Sequence, residues 1–418
     1  MVTRIHHRIR KILVVPTYFL QYTTMCCYLE SLSQIIINIK SQFNYTENVI
    51  GFICAASFSL PLVCSSLVQY VEDNTVLDCA KIVFIGGVLA AISSFHLAIV
   101  INQYCFILFI AFIFPFSFSM IITSPIYVID KYFPKNDKWH AFVTSIGALG
   151  YPFAHYGTLF GVQLTSECSE CAVTDTQKSG RINSYREDGK FKIRNLSSAY
   201  GGYLNSECSS SVQKNIPEKL ISKSLYLQIL LFFASFFKAI GYYTPIVYII
   251  RYMLSKNIHL VDAVQVVTIY GVSEATSRLL TSAIGRFLEG KFLIIYGGCA
   301  LSLFLISIGG GFSNQLFEMY LYVIGQGLFG GPIIAGMYVS CEEIMNTRKI
   351  KHLFVIYRFG MGIGLAIGPQ IAAQIIRTTG RYFDMFIMVG VSYAFASIIY
   401  ILLHVFRIKE KDLEDVTE

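Results

Sequence analysis

Charged residues are scarce in this 418-residue chain, because Asp, Glu, Lys and Arg together make up only 14% of it. An average soluble domain has about 25%. Apolar residues make up 54%, and the mean hydropathy is +0.56. The apolar runs are long and continuous, as helical spans of about 20 residues are, whereas a membrane barrel would show short alternating segments. The sequence therefore predicts an all-α polytopic membrane protein.

The signals of an enzyme are also missing. No Gly-rich loop is followed by the lysine and hydroxyl that bind nucleotide phosphates, which argues against an ATP-driven pump. Cys168 and Cys171 have no second pair at zinc-finger spacing. Most of the 11 cysteines are isolated within apolar runs, as Cys54, Cys64 and Cys105 are, and predict packing rather than disulfides. We expect no enzyme activity, no cofactor, no metal and no binding of nucleic acid.

Eleven apolar segments are candidates for membrane spans. They lie at 12–37, 48–70, 80–101, 103–129 and 140–164, and again at 225–250, 261–283, 291–312, 316–340, 353–376 and 383–406. Basic residues fall at alternate ends of these segments, as the positive-inside rule requires. The N-terminal run with Arg4, Arg8, Arg10 and Lys11 has no cleavage site, which predicts a retained signal-anchor and a cytosolic N-terminus. We expect a multi-pass protein of the lipid bilayer, with the plasma membrane as the default location.

The segments divide the chain into four regions. Residues 1–164 are predicted to form an N-terminal helical bundle of about five spans, and residues 225–406 a C-terminal bundle of six. Residues 165–224 are polar and rich in Lys and Arg, which predicts a cytosolic linker, and residues 407–418 a cytosolic tail. Five spans from a cytosolic start would place the linker on the extracellular side. The sequence therefore predicts that one N-terminal span is missing or that the fifth segment is re-entrant.

One predicted span, between Asp262 and Arg286, contains two opposite charges. Glu274 and Arg278 are four residues apart, so they share one face of a helix, with the acid on the favourable N-terminal side. Each charge at the centre of a membrane helix costs roughly 2.5–3.5 kcal/mol on insertion scales, so such residues usually line a path or a binding site. An ion pair that only fixes helix packing is the alternative.

Several motifs occur in the order found in one transporter family. In the second half these are Gly241-Tyr242-Tyr243-Thr244-Pro245, Val272 to Arg286, Gly368-Pro369-Gln370-Ile371-Ala372 and Thr379-Gly380-Arg381-Tyr382. In the first half, Lys131-Tyr132-Phe133 precedes a helix with Gly147 and Gly150. These motifs resemble those at helices seven, eight, eleven to twelve and five of the monocarboxylate transporter family of the major facilitator superfamily.

This resemblance implies two six-helix bundles around a central cavity that works by alternating access. Helices one, four, seven and ten of such folds line the cavity, and some relatives have an ancillary single-span subunit. The chain departs from the family because no counterpart of the sixth helix is found in the sequence. We therefore expect about 11 recognisable spans, with one span of the N-terminal half missing.

A second departure from the family concerns charge in helix one. Its proton-coupled members carry a lysine late in that helix, whereas Tyr28-Leu29-Glu30-Ser31 offers an acid at the matching place. Lys238 lies in the middle of the seventh-type helix. Because helices one and seven occupy equivalent places in the two bundles, Lys238 is expected to face Glu30 across the cavity. Snorkelling of Lys238 to an interface is the alternative.

These observations lead to the hypothesis of proton-linked secondary transport of a small organic solute, in the simplest case a monocarboxylate. Arg278 and Lys238 would bind the carboxylate, and Glu274 and Glu30 would carry the proton. Two alternatives stay open. If Glu30 lies in the cavity without pairing with Lys238, the solute is an amino acid or amine. If the bundle is incomplete, the protein is a non-transporting membrane assembly or sensor protein.

Other polar residues of the predicted spans carry less functional weight. Arg358 lies near the start of its segment and is interpreted as reaching the cytosolic headgroups. His96 and His155 are interpreted as hydrogen-bonded packing residues rather than proton relays. A series of glycines in the same segment as Arg358 predicts close helix contacts, at Gly360, Gly362, Gly364 and Gly368.

Overall fold

The computed structural model of this chain describes residues 11–24, 47–75, 77–99, 102–134, 137, 139–146, 150, 218–344 and 350–407, and the regular elements in these ranges are all helices. Glu30, His155, residues 165–217 of the linker and residues 408–418 of the tail lie outside the described residues. The same is true of residues 151–164, which follow the last described helix of the first half. The predictions about these positions and about a missing sixth span therefore stay predictions.

The first half contains seven helical segments in its described part. Residues 11–24 form α1, followed by α2 (Glu47–Val63), α3 (Ser65–Asn74), α4 (Cys79–Ile99), α5 (Gln103–Leu108), α6 (Phe114–Tyr132) and α7 (His140–Ile146). Cys64 separates α2 from α3, and a π-helical turn, Phe109–Ile113, joins α5 to α6. The segments predicted at 48–70 and 103–129 are thus each helical, with a local irregularity.

The second half contains the longer helices. They are α8 (Glu218–Ser255), α9 (Leu260–Ile284), α10 (Phe292–Phe312), α11 (Leu316–Ala335), α12 (Met337–Ile344), α13 (Ile350–Thr379) and α14 (Tyr382–Phe406). Gly380 separates α13 from α14 with φ +69°, in the left-handed region that glycine adopts without a Cβ penalty. The motif Thr379-Gly380-Arg381-Tyr382, which resembles the family's motif at helices eleven and twelve, therefore lies where the last two helices meet.

The described helices pack in pairs within each half, and other pairs of helices join the two halves. In the second half α10 packs along α14 and α9 along α11, and in the first half α4 packs along α6. Contacts between the halves run from α2 to α13 and from α7 to α9. The described helices of residues 1–160 and 225–418 belong to one compact unit.

The four glycines of α13 allow close helix contacts, as predicted. A Cβ at Gly362 would lie 2.9 Å from the carbonyl oxygen of Ser59 in α2. A Cβ at Gly364 would meet the carbonyl oxygen of Phe236 in α8. The glycines thus bring the backbone of α13 against one helix of each half, which larger side chains would prevent.

By length and composition, 6 helices among the described residues are able to cross a membrane, or 7 if α11 and α12, which meet at a 54° bend, form one span. These helices confirm a multi-pass protein. Helix α9 is long enough but is not among them, because its charged, Ser and Thr residues lower its hydropathy. The count of eleven spans stays a prediction, since several predicted segments lie partly outside the described residues.

Candidate functional site

Helix α9 turns a polar face towards the protein interior. Its buried residues recur every three or four positions along the helix: Ala263, Val266, Val267, Tyr270, Gly271, Glu274, Ser277, Arg278, Thr281 and Ser282. Large apolar residues such as Leu279 and Leu280 are exposed on the other side. Glu274 is 0% and Arg278 1% exposed. The two charges predicted to share a helix face are therefore both enclosed by protein.

Glu274, Arg278 and Tyr242 form one hydrogen-bonded cluster. Arg278 Nη2 lies 2.5 Å from Oε1 of Glu274 and donates to it. The Tyr242 hydroxyl of α8 donates to the same oxygen at 2.6 Å, and it accepts from Arg278 Nη2 at 3.3 Å. Oε2 of Glu274 is buried and has no hydrogen-bond partner among the described residues. The cluster thus leaves one carboxylate oxygen in position to take a proton.

Two glycines of α11 allow this cluster to form at a helix contact. A Cβ at Gly327 would lie 2.8 Å from the backbone nitrogen of Glu274, and one at Gly331 would lie 2.8 Å from Cβ of Ser277. The Ser277 hydroxyl donates to the carbonyl oxygen of Leu328 at 2.5 Å. Helix α11 therefore packs against the backbone of α9 at the position of the charge pair, and this contact excludes water and lipid.

Lys238 lies one turn before Tyr242 on α8 and is 1% exposed. Its Nζ lies 3.9 Å from Sδ of Met361 and 5.5 Å from the centroid of the Tyr242 ring, a cation–π distance. No carboxylate forms an ion pair with Lys238 among the described residues. The alternative that Lys238 snorkels to an interface is wrong, because the side chain is enclosed by α8 and α13.

Three of the four predicted site residues are thus brought together. Glu274 and Arg278 are paired, and Lys238 joins them through the ring of Tyr242, while Glu30 lies outside the described residues. Tyr242 itself was not predicted as a site residue. Its position four residues after Lys238, on the same face of α8, was the available signal.

The interpretation of Arg358 as a headgroup contact is wrong. The side chain is 4% exposed, and its Nη1 donates to Oγ1 of Thr123 at 2.9 Å. Thr123 belongs to α6 in the first half, so Arg358 points between the halves rather than along α13 to the membrane surface. His96, by contrast, stacks on Phe109 with ring centroids 3.9 Å apart, which agrees with its predicted packing role.

A second buried acid–base pair joins the two halves. Nε2 of His140 lies 2.9 Å from Oε1 and 3.1 Å from Oε2 of Glu342, and its Nδ1 lies 2.6 Å from the carbonyl oxygen of Phe133. A carbonyl oxygen can only accept a hydrogen bond, so Nδ1 carries a proton. The contact between Nε2 and the carboxyl group of Glu342 requires a second proton, which lies between these two groups. This pair was not predicted, because its two members are 202 residues apart in the sequence.

In the part of the chain that the structure describes, no group of three or more His, Cys, Asp or Glu side chains is arranged to hold a metal ion. Cys168 and Cys171 lie outside the described residues.

Solved structures share this arrangement of helices. The crystal structure of the major facilitator superfamily transporter FucP in the outward conformation matches with a TM-score of 0.61 at 14% identity, over 95% of this chain and 99% of that chain. A variant of the E. coli fucose:proton symporter FucP matches with a TM-score of 0.61 at 15% identity and the same coverage. The chain therefore has the all-helical fold of these structures, the major facilitator fold.

Sequence comparison finds similarity to monocarboxylate transporters. It is 22% identical to monocarboxylate transporter 12 of Xenopus laevis over 378 residues, which are 81% of this chain and 76% of that protein. It is 19% identical to monocarboxylate transporter 4 of Gallus gallus over 211 residues, 49% of this chain and 45% of that protein. No family-level sequence profile matches it. The chain is therefore similar to monocarboxylate transporters in sequence and to a major facilitator superfamily transporter in fold, which confirms the predicted resemblance.

Proposed function

We propose that this protein is a proton-linked secondary active transporter of small organic acids, in the simplest case monocarboxylates. The observation that carries the proposal is the buried Glu274–Arg278 pair, with the Tyr242 hydroxyl bonded to both members. An acid and a base enclosed at the contact of α8, α9 and α11 provide a proton site and an anion site within hydrogen-bond distance of each other.

The charges of the cluster favour an anionic solute. Lys238 and Arg278 bring two cations to it and Glu274 one carboxylate, counted over the described residues. An unbalanced buried charge is costly, and an opposite charge removes much of that cost. A bound carboxylate would balance the cluster, and the planar guanidinium of Arg278 matches a carboxylate with two parallel hydrogen bonds.

Proton coupling follows from competition for Arg278. With no solute bound, the guanidinium stabilises Glu274 as a carboxylate. When a solute carboxylate takes the guanidinium, Glu274 becomes an ionised group in apolar surroundings, and uptake of a proton at Oε2 removes that cost. Anion and proton then cross together without net charge. On the other side the proton leaves, Arg278 returns to Glu274, and the anion is released.

Other parts of the proposal concern the surroundings of the transporter. We place it in the plasma membrane, with residues 165–224 as a cytosolic linker between the two bundles and Glu30 as a second acid of the cavity. Because some members of the family that the chain resembles have an ancillary subunit with a single span, we include such a subunit as a partner in this proposal. Labelling of cysteines introduced into residues 165–224, from one side of the membrane at a time, tests the sidedness of the linker.

The transport proposal is tested in proteoliposomes with the purified chain and labelled lactate. We expect uptake that an inward proton gradient accelerates and that the variant Glu274→Gln uncouples from the gradient, because an amide carries no exchangeable acid proton. If the uptake rate of the unmodified protein does not depend on the proton gradient, the proposed coupling to protons is wrong. No flux of any acid, amine or amino acid from a well-folded preparation would favour a non-transporting protein instead.

A further inference from the structure

Glu274 needs a route for its proton, because its side chain is 0% exposed. The close contact with α11 shuts the acid off on the side of Gly327 and Gly331. Beside the cluster, however, lies a cavity of ≈ 20 Å³, enough for one water molecule, between α8, α9 and α11. We call it the tyrosine cavity, because its described polar lining consists of the side chains of Tyr242, Tyr270, Tyr322 and Gln326.

The tyrosine cavity lies on one side of the charge pair. On α8 its lining residues continue from Tyr242 to Ile249, away from the linker. On α9 they precede Glu274 and end at Tyr270, and on α11 they precede the two glycines that contact α9. Tyr242 and Glu274 meet at similar distances from the turn at 256–259, so α8 and α9 run antiparallel and these residues lie at the same end. With the linker on the cytosolic side, as proposed above, this end is extracellular.

Tyr270, Tyr242 and Glu274 form a chain of hydrogen bonds in which each donor points towards the acid. Tyr242 donates its one hydroxyl proton to Oε1 of Glu274 at 2.6 Å. The side chains of Tyr242 and Tyr270 are hydrogen-bonded to each other as well. Because the Tyr242 proton is already donated, Tyr270 is the donor of that bond. Tyr270 also lines the tyrosine cavity, so the chain connects the cavity to the carboxylate.

We propose that Tyr270 and Tyr242 form a proton relay between the extracellular side and Glu274, with a water molecule in the tyrosine cavity as its first member. This inference rests on the proposed proton-linked transport. The water gives a proton to the Tyr270 oxygen as Tyr270 gives its own proton to Tyr242, and Tyr242 gives its own to Oε1 of Glu274. Each tyrosine loses one O–H bond and forms another, so neither becomes a phenolate. The water takes a replacement proton from the extracellular solution.

The relay converts the Glu274 carboxylate into an uncharged carboxylic acid without opening the contact between α9 and α11. Rotation of the carboxyl group about its Cγ–Cδ bond then exchanges the two oxygens, which brings the proton to the place of Oε2. The same steps in reverse return the proton to the cavity. Tyr242 and Tyr270 thus move the proton, whereas Arg278 binds the anion.

The test uses Tyr270→Phe, which removes the relay hydroxyl and keeps the ring in the apolar core. Tyr248→Phe is the matched control, because its hydroxyl on α8 donates to the carbonyl oxygen of Pro369 at 3.0 Å, outside the relay. Uptake of labelled lactate is measured in proteoliposomes with an inward proton gradient. Tyr270→Phe is expected to lower kcat by about ten- to a hundredfold and to change KM by less than about twofold.

The ratio of uptake rates in H₂O and D₂O should rise in Tyr270→Phe, because proton transfer then limits the rate. Tyr248→Phe should change neither kcat nor this ratio. An unchanged kcat in Tyr270→Phe would overturn the relay. A raised KM with an unchanged ratio would also overturn it, because that result indicates a role in binding or packing.

An infrared measurement separates this inference from the transport proposal. Difference spectra follow the carbonyl stretch of protonated Glu274 after a drop in pH with lactate present, and Glu274→Gln identifies the band. The band should appear more slowly in Tyr270→Phe than in the unmodified protein. Slower appearance in a protein without lactate flux would support the relay and overturn transport. Equal rates, or no such band, would overturn the relay, and proton-driven flux in the same preparation would show that transport stands. If Tyr270→Phe does not fold, Tyr242→Phe takes its place with the same outcomes.

Discussion

Two buried acid–base pairs among the described residues connect different parts of the chain. Glu274 and Arg278 lie one turn apart on the single helix α9. His140 and Glu342 lie on α7 and α12 and connect the first half to the second. Both pairs are enclosed by protein, with side chains at most 3% exposed.

This difference in connection implies a difference in role. The Glu274–Arg278 pair moves with α9, so it is retained in any arrangement of the two halves and is suited to hold or exchange a proton. The His140–Glu342 pair exists only while α7 and α12 are in contact, so it stabilises the arrangement of the halves seen here. In an alternating-access protein, breaking the first pair should change the chemistry of the site, and breaking the second should change the balance between conformations.

The largest effect is expected from breaking the pair within α9. Glu274→Ala leaves the guanidinium of Arg278 buried without its carboxylate, which should lower the free energy of unfolding by about 3–5 kcal/mol and abolish proton-driven uptake. The double variant Glu274→Leu with Arg278→Met should be inactive but close to the unmodified protein in stability, because neither charge of the pair is left buried without the other. Thermal denaturation in detergent and lactate uptake measure the two effects. Equal destabilisation of the single and double variants would contradict this account.

Lys238 sharpens the comparison, because it is a buried cation for which we predict a partner in the other half. If Glu30 is that partner, Glu30→Lys and Lys238→Glu should each reduce uptake to background, since each places two like charges together. The charge swap that combines them keeps the pair and should restore uptake. Labelled lactate uptake at matched surface expression decides this. Equal loss in both singles and the double would show that the two side chains are not paired.

Breaking the pair between the halves is expected to have an intermediate effect. Glu342→Ala should cost about 2–5 kcal/mol, because it leaves the proton-bearing side chain of His140 buried without its acceptor. It should also increase labelling of cysteines introduced along α7. The control is Asp137→Asn, which breaks the more exposed pair with Lys11 and should cost about 1 kcal/mol or less. Labelling that is unchanged in Glu342→Ala would show that the pair does not hold the halves together.

The smallest effect concerns the helix contact behind the first pair. Gly331→Ala should cost about 1–3 kcal/mol, because the new Cβ would lie 2.8 Å from Cβ of Ser277 and force α11 away from α9. Gly330→Ala is the matched control. Its new Cβ would lie 3.9 Å from the nearest atoms, which belong to the Tyr242 ring, and this is an ordinary van der Waals distance. The melting temperatures of the two variants give the comparison, and a similar small change in both would argue against a tight contact at Gly331.

The sequence by itself determined the helices and the local part of the site. Long apolar runs predicted spans, and the predicted segments at 80–101, 291–312 and 383–406 agree with α4, α10 and α14 within a few residues. Glu274 and Arg278 were paired from their spacing alone, because residues four apart on a helix are neighbours whatever the rest of the chain does. The glycines of α13 were likewise identified from their spacing on one helix.

Only the tertiary structure decided which distant residues meet. Tyr242 reaches Glu274 from 32 residues away, His140 reaches Glu342 from 202, and Arg358 reaches Thr123 from 235. Spacing along a helix carries no information about such contacts, because they depend on how helices from the two halves pack. For the same reason Arg358 was wrongly assigned to the membrane surface. Its distance from the end of its helix can be read from the sequence, but its contact with Thr123 of α6 cannot.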